Sequence, residues 1–462
     1  MFSRSISDQA SRAARRFTRD ERGNVAMIFA VALVPLLGFV GAAIDYSRTT
    51  AARSSMKVAL DSAALMVSKD LGSNPTMSAA EISTKATNYF NALYTSNLSG
   101  PITVTANYTT NTKDGSTVTV TGSGAVDTNF MRMVGFPQMG IVGGSTTTWG
   151  STRMRIAMAL DVTGSMGQKG KLKAMQDAAK NLIDTLSKSS RMTEDVYISI
   201  VPFAQMVNVG SSNRNASWLK WDVYDDTAGS CNKSRYDYRT YDSKTACNNA
   251  GYSWNATSRN SWNGCVTDRD KPNDTTNTAA TSAATRFPAY QYSTCPEPIL
   301  GMTSAYGSNN VQTLKDKIDA LDDGGGTNQP IGMAWAWWTL QTGTDPFPAP
   351  AKDSNYKYTD AIILLSDGEN TINRWDGNGS SRSPEVDARQ KILCDNIRAE
   401  QVDGKRKTTI YTIQVNTDGG PDYEVLKYCA DAGQFFATTD AAGIATAFAA
   451  IGNSLNALRV SR

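Results

Sequence analysis

Ile156-Ala157-Met158-Ala159-Leu160-Asp161-Val162-Thr163-Gly164-Ser165-Met166-Gly167 is the stretch on which the reading of this chain turns. Its apolar start reads as a strand buried on both faces, as in a parallel sheet. The run then breaks into a polar loop with one carboxylate and two hydroxyls at alternate positions. Residues 169–187 follow with Leu172, Met175, Ala178, Ala179, Leu182, Ile183 and Leu186 at helical spacing. Ligands of open parallel sheets bind at the carboxyl ends of the strands. Asp161, Thr163 and Ser165 therefore stand where oxygens can hold a hard cation. Capping of the next helix is the plainer use of the same residue types.

Outward from this stretch the alternation of strand and helix is regular. Buried strands are predicted at 195–203, 361–365, 408–415 and 434–438, and helices at 311–321, 328–340, 384–402, 423–432 and 441–458. Such alternation predicts an α/β fold, a doubly wound sheet with helices on both faces. Two further loops carry oxygen donors: Thr327, after the glycines Gly324, Gly325 and Gly326, and Asp367, followed by Gly368. Two carboxylates and three hydroxyls suit Mg²⁺, with Mn²⁺ or Ca²⁺ as alternatives, and leave a coordination position that a partner's acid can fill.

Composition narrows the chemistry. The 462 residues suffice for two or three domains, and a net charge of +3 gives no footprint of a nucleic-acid binder. There is no histidine, which removes imidazole ligands and Ser-His or Cys-His pairs. No general base, P-loop or nucleophile motif accompanies the aspartates, so no enzyme is expected.

Residues 1–23 form a basic segment with Arg4, Arg12, Arg15, Arg16, Arg19 and Arg22. Residues 24–44 follow as a transmembrane helix; 25–44 are uncharged and long enough to cross a bilayer. The arginines favour a cytoplasmic N-terminus and place everything after Asp45 across the membrane; cleavage after Ala42 as a signal peptide is the competing reading. Residues 48–71 keep a helical composition, a second helix is predicted at 78–93, and 102–105 and 116–120 alternate as strands. Residues 45–150 are thus a small α+β stalk, and 151–460 the large domain.

Periodicity stops at 208–308, which holds four of the six cysteines, Cys231, Cys247, Cys265 and Cys295. So long a loop is rare in a compact domain. It reads as an insertion fixed by two disulfides, of unassigned pairing. Its aromatic residues (Trp218, Trp221 and Trp262 among them) serve either as a miniature core or as a contact surface. Cys394 and Cys429 fall on two helices that can lie side by side in a doubly wound domain, and a disulfide between them is predicted.

Asp161-x-Thr163-x-Ser165 with Thr327 and Asp367-Gly368 resembles the metal-ion-dependent adhesion site of von Willebrand factor type A domains. The family has Ser where Thr163 stands; the hydroxyl is kept. The 166 positions from Asp161 to Thr327 exceed the family's usual separation, and the insertion accounts for the excess. Arg22-Gly23-Asn24-Val25-Ala26 and Ala43-Ile44-Asp45-Tyr46 resemble the N-terminal segment of TadG-like (TadE/TadG) proteins of the Flp (tight adherence) pilus system. Trp262-Asn263-Gly264-Cys265 and Trp335-Ala336-Trp337-Trp338 are similar to the same family. The resemblance implies a single-pass inner-membrane protein of Flp/Tad pilus assembly with its C-terminal domain extracytoplasmic. It would bind other pilus components through the acidic side chain of a partner; a surface or periplasmic adhesin contacting host or matrix protein is the alternative. Ile28 stands where related pseudopilins carry the glutamate of their processing site, so no such cleavage is expected after Gly23.

Overall fold

A helix of 50 residues, α1 (Asn24–Ser73), opens the structure, a computed structural model that describes residues 24–73, 77–96, 100–109, 116–149, 152–353, 356–402, 404–417 and 419–460. The basic segment predicted at 1–23 lies outside the described residues. The chain divides into two compact units, the first running to Thr148 and the second from Trp149 onward.

In the first unit α1 runs unbroken through Pro35. Its apolar side chains from Met27 to Ile44 stay exposed, whereas Met56, Leu60, Ala63, Ala64, Val67 and Leu71 are buried. One end of the helix therefore offers apolar surface to its surroundings, and the other packs a core. Against that core lie α2 (Ala79–Leu93), with Ile82, Ala86 and Phe90 buried, and an antiparallel sheet of β1 (Thr103–Thr109), β2 (Ser116–Asp127) and β3 (Gln138–Trp149) in that order. Ser78 and Glu81 close a capping box at the start of α2. Asp70 of α1 accepts from Lys85 Nζ at 2.5 Å and Tyr89 Oη at 2.6 Å. Asp45 ends the exposed stretch of α1. Its carboxylate accepts the backbone N–H groups of Asn129, Phe130 and Met131 at 2.8–2.9 Å, and Gly41 leaves the room Phe130 needs.

The second unit is built on an eight-stranded sheet. Its parallel part comprises β4 (Thr152–Asp161), β5 (Val196–Phe203), β7 (Lys357–Ser366), β8 (Thr408–Val415) and β9 (Phe435–Thr438), ordered β5-β4-β7-β8-β9. β6 (Leu300–Ser304) joins β5 antiparallel, and the short strands Val207–Asn208 and Cys265–Val266 extend that edge.

Every residue of β4 is buried, and alternate side chains enter opposite cores. Met154, Ile156, Met158 and Leu160 pack with α3 (Lys171–Ser189), α4 (Ser308–Asp319) and α8 (Ala441–Val460). Ala157 and Ala159 face α5 (Gln329–Thr339), α6 (Pro384–Ala399) and α7 (Glu424–Cys429). The fold is thus mixed α/β, with helices on both faces and a long apolar helix at its N-terminus.

The insertion is less separate than its composition suggests. Its end supplies β6 to the main sheet, and Trp218, Tyr224 and Trp262 are buried in the core that α5 shares, while Tyr236 and Tyr238 are exposed. Trp221, Tyr241, Tyr252 and Trp254 are half-buried, so only part of its aromatic content is interior. Disulfides join Cys231 to Cys247 and Cys265 to Cys295, and a third joins Cys394 on α6 to Cys429 on α7.

Candidate functional site

The chain moves from β4 to β5 on one side, then returns across β4 to β7 on the other. The strand order thus reverses between β4 and β7, the place in an open sheet where ligands bind outside the carboxyl ends of the strands. Asp161 is the last residue of β4, and Asp367 is the first after β7. The register that pairs Leu160 with Leu365 brings Asp161 beside Ser366.

Four of the five predicted donors are linked or placed by direct contacts. Asp161 is fully buried; its Oδ1 accepts the Thr163 N–H at 2.8 Å and its Oδ2 accepts the Ser366 hydroxyl at 2.5 Å. Thr163 Oγ1 and Ser165 Oγ lie 3.1 Å apart, and Ser165 Oγ donates to Asp367 Oδ1 at 2.7 Å. The fifth donor, Thr327, arrives on the glycine loop. That loop is zipped to the first by Gly324 N–H to Val162 O at 2.8 Å and Gly164 N–H to Gly325 O at 3.2 Å. A Cβ placed on Gly368 would lie 3.8 Å from Thr327 Oγ1 and 3.9 Å from Ser165 Oγ, so all three loops meet at that turn. Gly325 has φ +83°, a conformation open to glycine, and the Tyr292 hydroxyl of the insertion occupies the space a side chain would need.

Several positioning residues escaped the sequence reading. Lys171, the first residue of α3, is buried and donates to Asp367 Oδ2 at 2.5 Å. Asn370, Gln329 and Gln390 form a fully buried network: Asn370 Oδ1 accepts the Gln329 N–H at 2.9 Å, and Gln329 Nε2 donates to Gly368 O at 2.8 Å. Thr371 Oγ1 accepts the Thr327 N–H at 2.8 Å. Asp268 of the insertion accepts from Asn328 Nδ2 at 3.0 Å and the Arg374 N–H at 3.1 Å, bracing the loops behind Thr327 and Asp367. Burial, then the charge of Asp274, raises the Asp268 carboxyl to about 6. The one sequence signal for this shell was a lysine at a helix N-terminus, where the helix dipole favours an acid.

Burial first, then the neighbouring Asp367 charge, pushes the Asp161 carboxyl up to about 7, despite the Ser366 and Thr163 hydrogen bonds that favour its ionised form. Two carboxylates so close call for added positive charge, and Lys171 supplies one unit. Among the described residues no group of three or more His, Cys, Asp or Glu side chains could hold a metal. A cation here would therefore draw on hydroxyls as well. The oxygen spacing suits one: ligands ~2.1 Å from an octahedral Mg²⁺ lie about 3.0 Å from their neighbours. The 3.1 Å and 2.7 Å separations along Thr163, Ser165 and Asp367 bracket that edge.

The chain is a mixed α/β unit preceded by a long apolar helix. Residues 23–70 match the family model of Flp pilus-assembly TadE/G-like proteins. No curated protein matches the chain. Among solved structures, the chain is similar to the pilus adhesin SpaC from Lactobacillus rhamnosus GG (10% identity, TM-score 0.37), with 78% of this chain and 35% of SpaC covered. The chain thus spans about a third of that adhesin's length. It is also similar to the vWF domain of the type V pili tip protein Mfa5 from Porphyromonas gingivalis, at 14% identity and TM-score 0.33, covering 66% of this chain and 96% of that domain. A D319A mutant of the PilB minor pilin from Streptococcus sanguinis is similar at 10% identity and TM-score 0.34, covering 79% and 80%.

Proposed function

We propose that this chain is a membrane-anchored, extracytoplasmic protein of Flp/Tad pilus assembly. Its large unit would be a von Willebrand factor type A domain that binds protein partners through a divalent cation held by Asp161, Thr163, Ser165, Thr327 and Asp367. The observation that carries the binding half of this reading is the Thr163–Ser165–Asp367 chain of oxygens at the strand-order reversal, spaced like an octahedral edge. The match over residues 23–70 and the exposed apolar helix support the anchoring half. In this reading residues 24–44 sit in the inner membrane.

Each group of the chain has a distinct part. Ser366 and the Thr163 N–H fix the Asp161 carboxylate, Ser165 orients Asp367, and the Gln329–Asn370 network holds the turn at Gly368. A bound Mg²⁺ would supply an electrophilic position open to the carboxylate of a partner. Calorimetric titration of Mg²⁺ into the full chain in detergent micelles tests the site. Binding that Asp161→Ala abolishes supports it; no binding to the wild type refutes it. Cell fractionation tests the placement: retention in the inner membrane supports assembly, and exposure on the cell surface points to an adhesin instead.

A further inference from the structure

Lys171 stands in an unusual place. It opens α3 at the helix N-terminus, where the dipole repels a cation, and the first turn of that helix contains no acid. Lys169 (φ +53°) and Gly170 (φ +71°) both adopt left-handed conformations and turn the chain immediately before it. Its side chain is 5% exposed, its ammonium lies 2.5 Å from Asp367 Oδ2, and the side chain of Asp367 is wholly buried. Desolvating a lysine against a helix dipole is costly unless the cation is paired. The carboxylate that pairs it is also a donor of the oxygen cluster.

We propose that Lys171 is a built-in counter-charge that weakens the site's hold on a divalent cation and, in exchange, strengthens the loaded site's hold on a carboxylate. The proposal rests on the metal-site reading above. Charge counting shows why both effects come from one residue. Asp161 and Asp367 with Lys171 sum to −1; a divalent cation takes the cluster to +1, and a partner's carboxylate then brings it to neutrality. Without the lysine charge the same states are −2, 0 and −1. The cation would then enter a more attractive site, but the incoming acid would meet a neutral one. Solvent and salt screen buried charges poorly, so a single unit of charge at hydrogen-bond distance weighs heavily in both steps. Lys171 thus acts as a positioning and specificity residue: it holds Asp367 Oδ2 and leaves Oδ1, which accepts from Ser165, on the side of the hydroxyls.

Lys171→Gln keeps a neutral donor for Asp367 and removes the charge, Lys171→Arg keeps the charge, and Asp161→Asn serves as the metal-site control. Mn²⁺ is titrated calorimetrically into each full chain in detergent micelles, in 100 mM chloride and again in 100 mM acetate, acetate being the probe for a partner's carboxylate. Wild type is expected to bind Mn²⁺ several-fold more tightly in acetate, because coupling between two ligands is reciprocal. Lys171→Gln is expected to bind Mn²⁺ at least tenfold more tightly than wild type in chloride and to gain nothing from acetate, while Lys171→Arg behaves as wild type. Equal or weaker Mn²⁺ binding by Lys171→Gln, with Asp161→Asn binding none, overturns the role of the lysine and leaves the metal site standing. Absence of Mn²⁺ binding in every chain overturns both. Should Lys171→Gln unfold without metal, its midpoint rise on adding Mn²⁺ replaces the titration: a rise larger than that of wild type supports the proposal, and an equal or smaller one overturns it.

Discussion

Asp161→Asn separates the electrostatic cost of the site from its use. Burial and the Asp367 charge raise the Asp161 carboxyl from 3.8 to about 7. Each unit is worth ~1.4 kcal/mol, so ionised Asp161 burdens the folded metal-free domain by about 4 kcal/mol at a pH above both values. For an acid whose folded value is raised, this penalty is absent below the unfolded value of 3.8, grows between 3.8 and about 7, and is complete above 7. Asparagine keeps the shape, can accept the Thr163 N–H and carries no charge. In EDTA at pH 8 the variant is expected to exceed wild type by up to about 4 kcal/mol, a rise of several degrees in midpoint. At pH 5 the gap should shrink to about 2 kcal/mol. In 10 mM Mg²⁺ the order should close or reverse, since wild type gains RT ln(1 + [L]/Kd) and the variant nothing. The assay is thermal unfolding of the full chain in detergent, followed by tryptophan fluorescence. A variant no more stable than wild type in EDTA at pH 8, or a gap that does not narrow at pH 5, refutes the reasoning.

Three further outcomes follow from other parts of the fold. Replacing both Cys394 and Cys429 by alanine opens a 35-residue loop, which in the chain-entropy account costs ~4 kcal/mol; urea denaturation of the oxidised wild type and the double variant measures it. Asp45→Ala removes the acceptor of three backbone N–H groups, and limited proteolysis between β2 and β3 at pH 7 should quicken markedly. The hydrogen bonds from Met131, Asn129 and Phe130 outweigh burial and hold the Asp45 carboxyl below its usual value. Their stabilisation is therefore present above the ordinary carboxylate range and lost as pH falls through the lowered value, so wild type should match the variant only under strong acid. Gly332→Val places a Cβ 2.2 Å from Phe203 Cδ1 in the middle of α5 and should cost ~1–3 kcal/mol, read as a lowered urea midpoint.

The parallel strands were legible because burial on both faces writes an unbroken apolar run: β8 has the predicted bounds, and β4 and β7 each extend four residues before their apolar runs. β3 was missed for a physical reason. Gly143 and Gly144 fall in its middle, where a Cβ on Gly143 would lie 3.0 Å from Met56 and 3.3 Å from Leu60 of α1, and one on Gly144 would lie 3.3 Å from Thr121. The close approach that fixes the strand also erases its alternation. The short edge strands and β6 have too few residues to show a period. The five oxygen donors could be proposed from their loops, but Ser366, Lys171 and Asp268 act through spatial neighbours 60 to 205 positions away. Ser366 serves Asp161 across 205 positions and Lys171 serves Asp367 across 196. Asp268 is 60 positions from Asn328 and 106 from Arg374, and no local pattern marks it.

The continuity of α1 has a mechanical meaning. Fifty residues at 1.5 Å each make a rod about 75 Å long. Were residues 25–44 to cross a bilayer, some 40 Å of the same rod would stand beyond it, clamped at Asp45 by the β2–β3 connection and at Asp70 by α2. A pull on the packed end would then be carried to the apolar end along helix hydrogen bonds, with no slack residue to take up the load. In a membrane-spanning arrangement, rotation of the outer part of the helix about its long axis would likewise turn the inner part, so the rod would transmit torque as well as tension.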